Sequence, residues 1–144
     1  MDNDKITSSL KITHYDFNPD ATTATDIAWV DMRDIKALLV SFFRKVGTSD
    51  VTLTILANTL SDGTGDEATI ATKTFSAGQP DFLGDYVFLE TLASQVAQKG
   101  SDDGKDYRYV TANVTVDTGT DEGVVTYVGT PRFKHKDLTA DYIS

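Results

Sequence analysis

Two acidic glycine loops are the first places where side chains of this sequence suggest chemistry: Asp62-Gly63-Thr64-Gly65-Asp66-Glu67 and Asp102-Asp103-Gly104-Lys105-Asp106. Carboxylates are hard oxygen donors of the kind calcium gathers in sixes to eights. Neither run has the alternating acidic order of an EF-hand loop, so each reads as a solvated turn. Neither glycine loop follows a strand and opens a helix with phosphate-binding spacing, which excludes a nucleotide cradle. His14 and Asp16 have the types of a base and its orienting acid. No nucleophile-elbow motif accompanies them, and His14 reads as a half-buried strand residue. Among 22 acidic residues, nothing singles out a pair for glycoside chemistry. Trp29, the lone tryptophan, is weak ground for a sugar platform. The aromatics Phe42, Phe43, Tyr107, Tyr109 and Tyr127 read as core or inter-subunit packing. No catalytic, cofactor-binding or metal-binding residue is therefore predicted, and no cofactor. One basic cluster remains, Arg132-Phe133-Lys134-His135-Lys136. It reads either as a solvated tail or as a docking strip for an acidic partner surface, with Phe133 as anchor. Arginine and aromatic residues carry much of the energy of protein interfaces.

Composition narrows the field further. The 144 residues suit one domain, and a chain of this size buries roughly two thirds of its unfolded surface without staples. There is no cysteine, so disulfides, thiol chemistry and cysteine-based zinc sites are excluded. The net charge is −9 and is spread over both halves. Non-specific nucleic-acid binding draws on lysine and arginine replacing counterions, so neither nucleic acid nor an anionic membrane is an expected partner. The start, MDNDKITSSL, lacks the apolar core of a signal peptide, and no apolar run reaches the length of a membrane span. The sequence predicts a soluble protein made without a classical secretion signal.

The elements that would position these residues are short. Residues 1–8 read as a flexible polar arm, residues 9–131 as a β-sandwich domain and residues 132–144 as a tail. Strands are predicted at Ser9 to Tyr15, Ile27 to Met32, Lys36 to Arg44, Val51 to Ala57, Ala68 to Phe75, Tyr86 to Leu89, Tyr107 to Val116 and Val124 to Val128. The run KALLVSFFR is continuously apolar and bounded by charges, which predicts a strand buried on both faces. VTLTILA alternates, placing Val51, Leu53, Ile55 and Ala57 on one face and Thr52 and Thr54 on the other. It is expected to pair with Ala68 to Phe75 as a hairpin. Tyr107 to Val116 sets Val110, Ala112, Val114 and Val116 inward. Leu89, Leu92, Ala93, Val96 and Ala97 recur at helical spacing before Gly100, predicting one short helix of about two turns near residues 90–98. About eight strands, one helix and regular turn signals predict a mainly all-β fold, a β-sandwich or jelly roll.

The order of these features resembles a known family. KALLVSFF precedes a VTLTILAN strand and a Ser-Asp-Gly step; a late RYVTANVTV strand leads through a Gly-Thr turn into a strand ending GTPR. This pattern is similar to small structural proteins encoded beside the major capsid protein of tailed bacteriophages, some of which are head decoration (cement) proteins. The resemblance spans roughly Ile27 to Arg132 and leaves residues 133–144 unexplained. It implies a virion structural protein, made in the host cytoplasm and seated on the capsid surface. Its implied partners are the major capsid protein and sister copies, commonly as a homotrimer. The N-terminal arm and the Arg132–Lys136 strip would then contact the capsid or a sister subunit. The alternatives are a head–tail connector or tail component, or a β-sandwich that binds glycans or a host surface.

Overall fold

A computed structural model of the chain describes residues 11–17, 23–24, 28–76, 86–117 and 122–132, the first two of these stretches through their backbone pairing. Among these residues nine strands and one helix follow one another: β1 (Lys11–Phe17), β2 (Thr23–Ala24), β3 (Val30–Asp31), β4 (Ile35–Val46), β5 (Val51–Asn58), β6 (Glu67–Phe75), β7 (Tyr86–Leu92), α1 (Ala93–Asp103), β8 (Tyr109–Val116) and β9 (Glu122–Pro131). They form two antiparallel sheets, β1-β9-β4-β7 and β2-β8-β5-β6, with the two-residue β3 also pairing β8. With β3 set aside, the pairing is nested. The outermost strands pair (β1 with β9), then β2 with β8, β4 with β7, and innermost the β5–β6 hairpin. Two four-stranded sheets filled in this nested order make a jelly roll, so the chain is an all-β sandwich of that topology.

The core lies between the sheets. Leu38, Val40, Phe42, Val87, Val125 and Tyr127 from one sheet meet Val51, Leu53, Ile55, Ala57, Val110, Ala112, Val114 and Val116 from the other. The alternation predicted for Val51 to Ala57 and for Val110 to Val116 is the observed one; all eight inward residues are buried. Phe42 fits beside β9 because residue 123 is glycine; a Cβ there would overlap the Phe42 ring. Between the β2 pairing at Val114 and Thr115 and the β3 pairing at Tyr109 and Val110, the Ala112 N–H donates to the Tyr127 hydroxyl at 2.8 Å. This bond crosses from sheet to sheet and satisfies a buried backbone donor.

Three expectations are corrected. The segment Ile27 to Met32 is not one strand: only Val30 and Asp31 pair with β8, and Ile27 lies outside the described residues. The predicted helix begins too early. Leu89 and Leu92 belong to β7, which runs three residues past the expected end, and α1 spans 11 residues, about three turns. Gly100 is a buried helix residue; the stop is Gly104, in the left-handed conformation at φ 65°. Finally, β4 is not buried on both faces. Leu38, Val40, Phe42 and Arg44 are buried, whereas Ala37, Leu39, Ser41 and Phe43 are half-buried on the opposite face. Arg44, expected as the charged boundary of the run, points inward and donates to the Ser49 carbonyl at 2.5 Å.

Candidate functional site

The acidic loops are occupied by their own donors. Asp62 accepts from the Thr64 hydroxyl at 2.7 Å and the Thr64 N–H at 3.1 Å, and these bonds hold its carboxyl below the ordinary value. Asp66 pairs with Lys105 at 2.8 Å, which raises the lysine. Asp103 pairs with Lys99 at 2.9 Å and accepts from the Tyr107 hydroxyl at 3.1 Å; its pKa is lowered, chiefly by the lysine, and that of Lys99 is raised by the same bond. Desolvation, then the bond to Asp103, raises Tyr107. Arg108 grips both carboxylate oxygens of Asp31, tying β3 to the start of β8, and its guanidinium sits 4.8 Å from the Tyr109 ring centre. Among the described residues, no three His, Cys, Asp or Glu side chains gather as metal ligands.

The turn after β5 is built by Asn58. Its buried side chain donates to the carbonyls of Gly63 (3.0 Å) and Gly65 (3.3 Å), and accepts from the N–H groups of Leu60 (2.9 Å) and Gly65 (3.1 Å). Trp29 lies half-buried against this turn, so close that a Cβ on Gly63 would come within 2.7 Å of the indole. The ring considered as a sugar platform is thus part of the turn's packing. His14 and Asp16 pair in register with Thr126 and Val124, but their side chains lie outside the description.

The two sheets turn different faces outward. On the β5–β6 side the outward residues are threonines, joined hydroxyl to hydroxyl: Thr52 with Thr74 at 2.8 Å and Thr54 with Thr72 at 3.0 Å. On the β4–β7 side they are mixed, with Ser41, Glu90 and Thr126 among large apolar side chains. Tyr86, Phe88 and Leu92 of β7 are 64, 63 and 40 % exposed. Beside them on β4 lie Phe43 (opposite Tyr86), Leu39 and Ala37 (opposite Leu92), and beyond those Val124 and Val128 of β9. Phe43 and Tyr86 stack with ring centres 4.8 Å apart. Tyr86, Phe88 and Leu92 thus gather exposed large apolar side chains along one strand.

Sequence reasoning missed this face. The signal was present: β4 and β7 carry large apolar residues at both parities, and only one parity fits into a two-sheet core. Of the predicted docking strip, Arg132 alone is described. Its side chain is exposed, its N–H donates to the Asp34 carbonyl at 2.8 Å, and its Nε reaches the Ile35 carbonyl at 3.5 Å. Phe133, Lys134, His135 and Lys136 lie outside the described residues.

The chain matches no protein-family model and no curated protein sequence. Solved structures with a similar course include a Bacillus endospore-appendage pilus protein (TM-score 0.45, 14% identity, 84% of this chain and 86% of that one). The SPBc2 prophage-derived protein YomS has TM-score 0.45 and 12% identity, over 84% of this chain and 95% of that one. The PBSX exported protein XepA has TM-score 0.46 and 12% identity, over 98% of this chain and 43% of that one.

Proposed function

We propose that this chain is a virion structural protein of a tailed bacteriophage, a head decoration protein that binds the major capsid protein and stabilises the shell. The observation that carries the binding role is the apolar outward face of the β1-β9-β4-β7 sheet, centred on Phe43, Tyr86, Phe88 and Leu92. The sequence resemblance supplies the partner. Fold alone does not choose a function, and jelly rolls serve many. A molecule that reaches two neighbouring shell subunits through linked contacts gains avidity over either contact alone. The Arg132–Lys136 strip starts at the Ile35 end of this sheet and would add basic contacts at its rim.

The test is to add purified protein to capsids that lack it and count bound copies by cryo-electron microscopy. Saturable density on the shell, lost when Phe43 and Tyr86 are changed to serine, is the expected result. Density confined to the portal vertex or tail would move the protein to the connector or tail class. Absence of binding would reject the virion role and make glycan arrays the next experiment.

A further inference from the structure

Among the described residues, four strand edges terminate the two sheets, and they are not equally protected. An unpaired edge presents a row of backbone donors and acceptors to any passing strand, and proteins blunt such edges with short strands, bulges or charges. At one end of the second sheet, β2 and β3 are two residues each. At its other end, β6 has a register shift near Leu56 and places Lys73 opposite the core residue Leu53, its ammonium 5.4 Å from the Phe75 ring centre. An inward-position lysine of this kind obstructs strand addition. In the first sheet, β1 carries Lys11, His14 and Asp16. The remaining edge, β7, is seven residues long, YVFLETL, with no lysine, no proline and a single charge, the outward Glu90. Its outward aromatics are the most exposed large apolar side chains among the described residues.

We infer that β7 pairs antiparallel with β7 of a second copy about a two-fold axis at Phe88, joining the two four-stranded sheets into one of eight strands. A two-fold contact uses the same surface twice, so it must be self-complementary. The charge pattern excludes one register, and the tyrosine–carboxylate pairing favours another. Pairing centred on Glu90 sets two carboxylates face to face, which destabilises a strand pair. Pairing centred on Phe88 sets Phe88 against its own copy, Tyr86 against Glu90 of the other chain and Val87 against Leu89. The tyrosine hydroxyl then has a carboxylate acceptor, and the two Glu90 residues stand four positions apart. The net charge of −9 opposes association in general, yet only this one charge lies on the strand. The apolar outward faces of the two copies become one continuous platform. The pairing needs no shell, and it is measured on the protein alone.

The chain has no cysteine, so single cysteines report on the pairing without interference. Directly opposed residues of an antiparallel pair stand about 4.5–5.5 Å apart at Cα, within disulfide range. Under a mild oxidant, Phe88→Cys is expected to give covalent dimer roughly ten-fold faster than Ser61→Cys or Leu92→Cys, because pairing raises the effective thiol concentration. The unmodified protein is expected to sediment at twice the 15.7 kDa of the chain, and Phe88→Lys as a monomer with unchanged circular dichroism and a melting temperature that no longer rises with protein concentration. A monomer or a trimer at every concentration overturns the inference. So does cross-linking at Phe88→Cys no faster than at the control positions, or a Phe88→Lys variant that still dimerises.

Discussion

At the scale of single residues, two buried polar groups hold parts of the fold that apolar packing leaves unsupported. Tyr127 is the acceptor for a backbone N–H in the middle of the opposite sheet. Tyr127→Phe keeps the ring and strands that donor, so a loss of about 1–3 kcal/mol in denaturant unfolding is expected. Asn58 makes four bonds to the Leu60–Gly65 turn. Asn58→Ala leaves two carbonyls and two N–H groups of that turn without a partner, and a loss of about 2–4 kcal/mol follows if half of them stay dry. Gly63 stands at φ 76° beneath Trp29, so Gly63→Ala adds left-handed strain to a steric overlap. Its expected signature is a shift in tryptophan fluorescence together with a lower melting temperature. None of these roles was visible in the sequence. Asn58 stood only as the last residue of VTLTILAN, Trp29 as weak ground for a sugar platform and Tyr127 as core or inter-subunit packing, because each role depends on a contact the local pattern does not show.

At the scale of elements, the strands that alternate cleanly were legible and the junctions were not. Thr52 and Thr54 opposite Val51, Leu53 and Ile55 leave one way to face the core. Between β7 and α1 the same leucines satisfy a period of two and a period of 3.6, and Leu92 serves both as last strand residue and as helix N-cap. Leucine cannot cap a helix through its side chain; the Gln95 side-chain Oε1 instead accepts the Leu92 N–H at 2.8 Å. The apolar run of β4 was correctly a strand, but apolarity on both faces signified an outward surface as well as a core. Of the segment read as a docking strip, the structure describes Arg132 alone. The far end of α1 is fixed by the Lys99–Asp103–Tyr107 cluster, and its pH dependence can be worked out. The pKa of Asp103 in the fold lies below its ordinary 3.8. Its contribution is therefore complete above the unfolded value and is lost as pH falls through the folded one. Asp103→Asn should melt lower than the unmodified protein near neutrality, and the gap should close below about pH 4. Thermal melts across the acid range check this. Lys99 has the opposite sign: its value is raised, so its contribution holds below about pH 10.5 and fades above it.

At the scale of the whole molecule, the two sheets divide the surface into a threonine face and an apolar face. A change confined to the apolar face should leave the fold intact and abolish its use. The double variant Tyr86→Ser with Phe88→Ser is expected to unfold within about 1 kcal/mol of the unmodified protein, since both side chains are largely exposed. It should also fail to occupy capsids. Unfolding curves and shell occupancy measured on the same preparation separate the two effects. The nested pairing carries a consequence of another kind, one of time. β4 sits between β7 and β9, and β5 between β6 and β8, so half of the partners of these central strands are made last. A growing chain on the ribosome can close the β5–β6 hairpin early, but it cannot complete either sheet until β8 and β9 have emerged. Such distant pairing makes folding slow and leaves the apolar strands uncovered in the meantime. A nascent chain halted after Val116 should therefore remain sensitive to protease, and release of the whole chain should be followed by a single late gain of resistance.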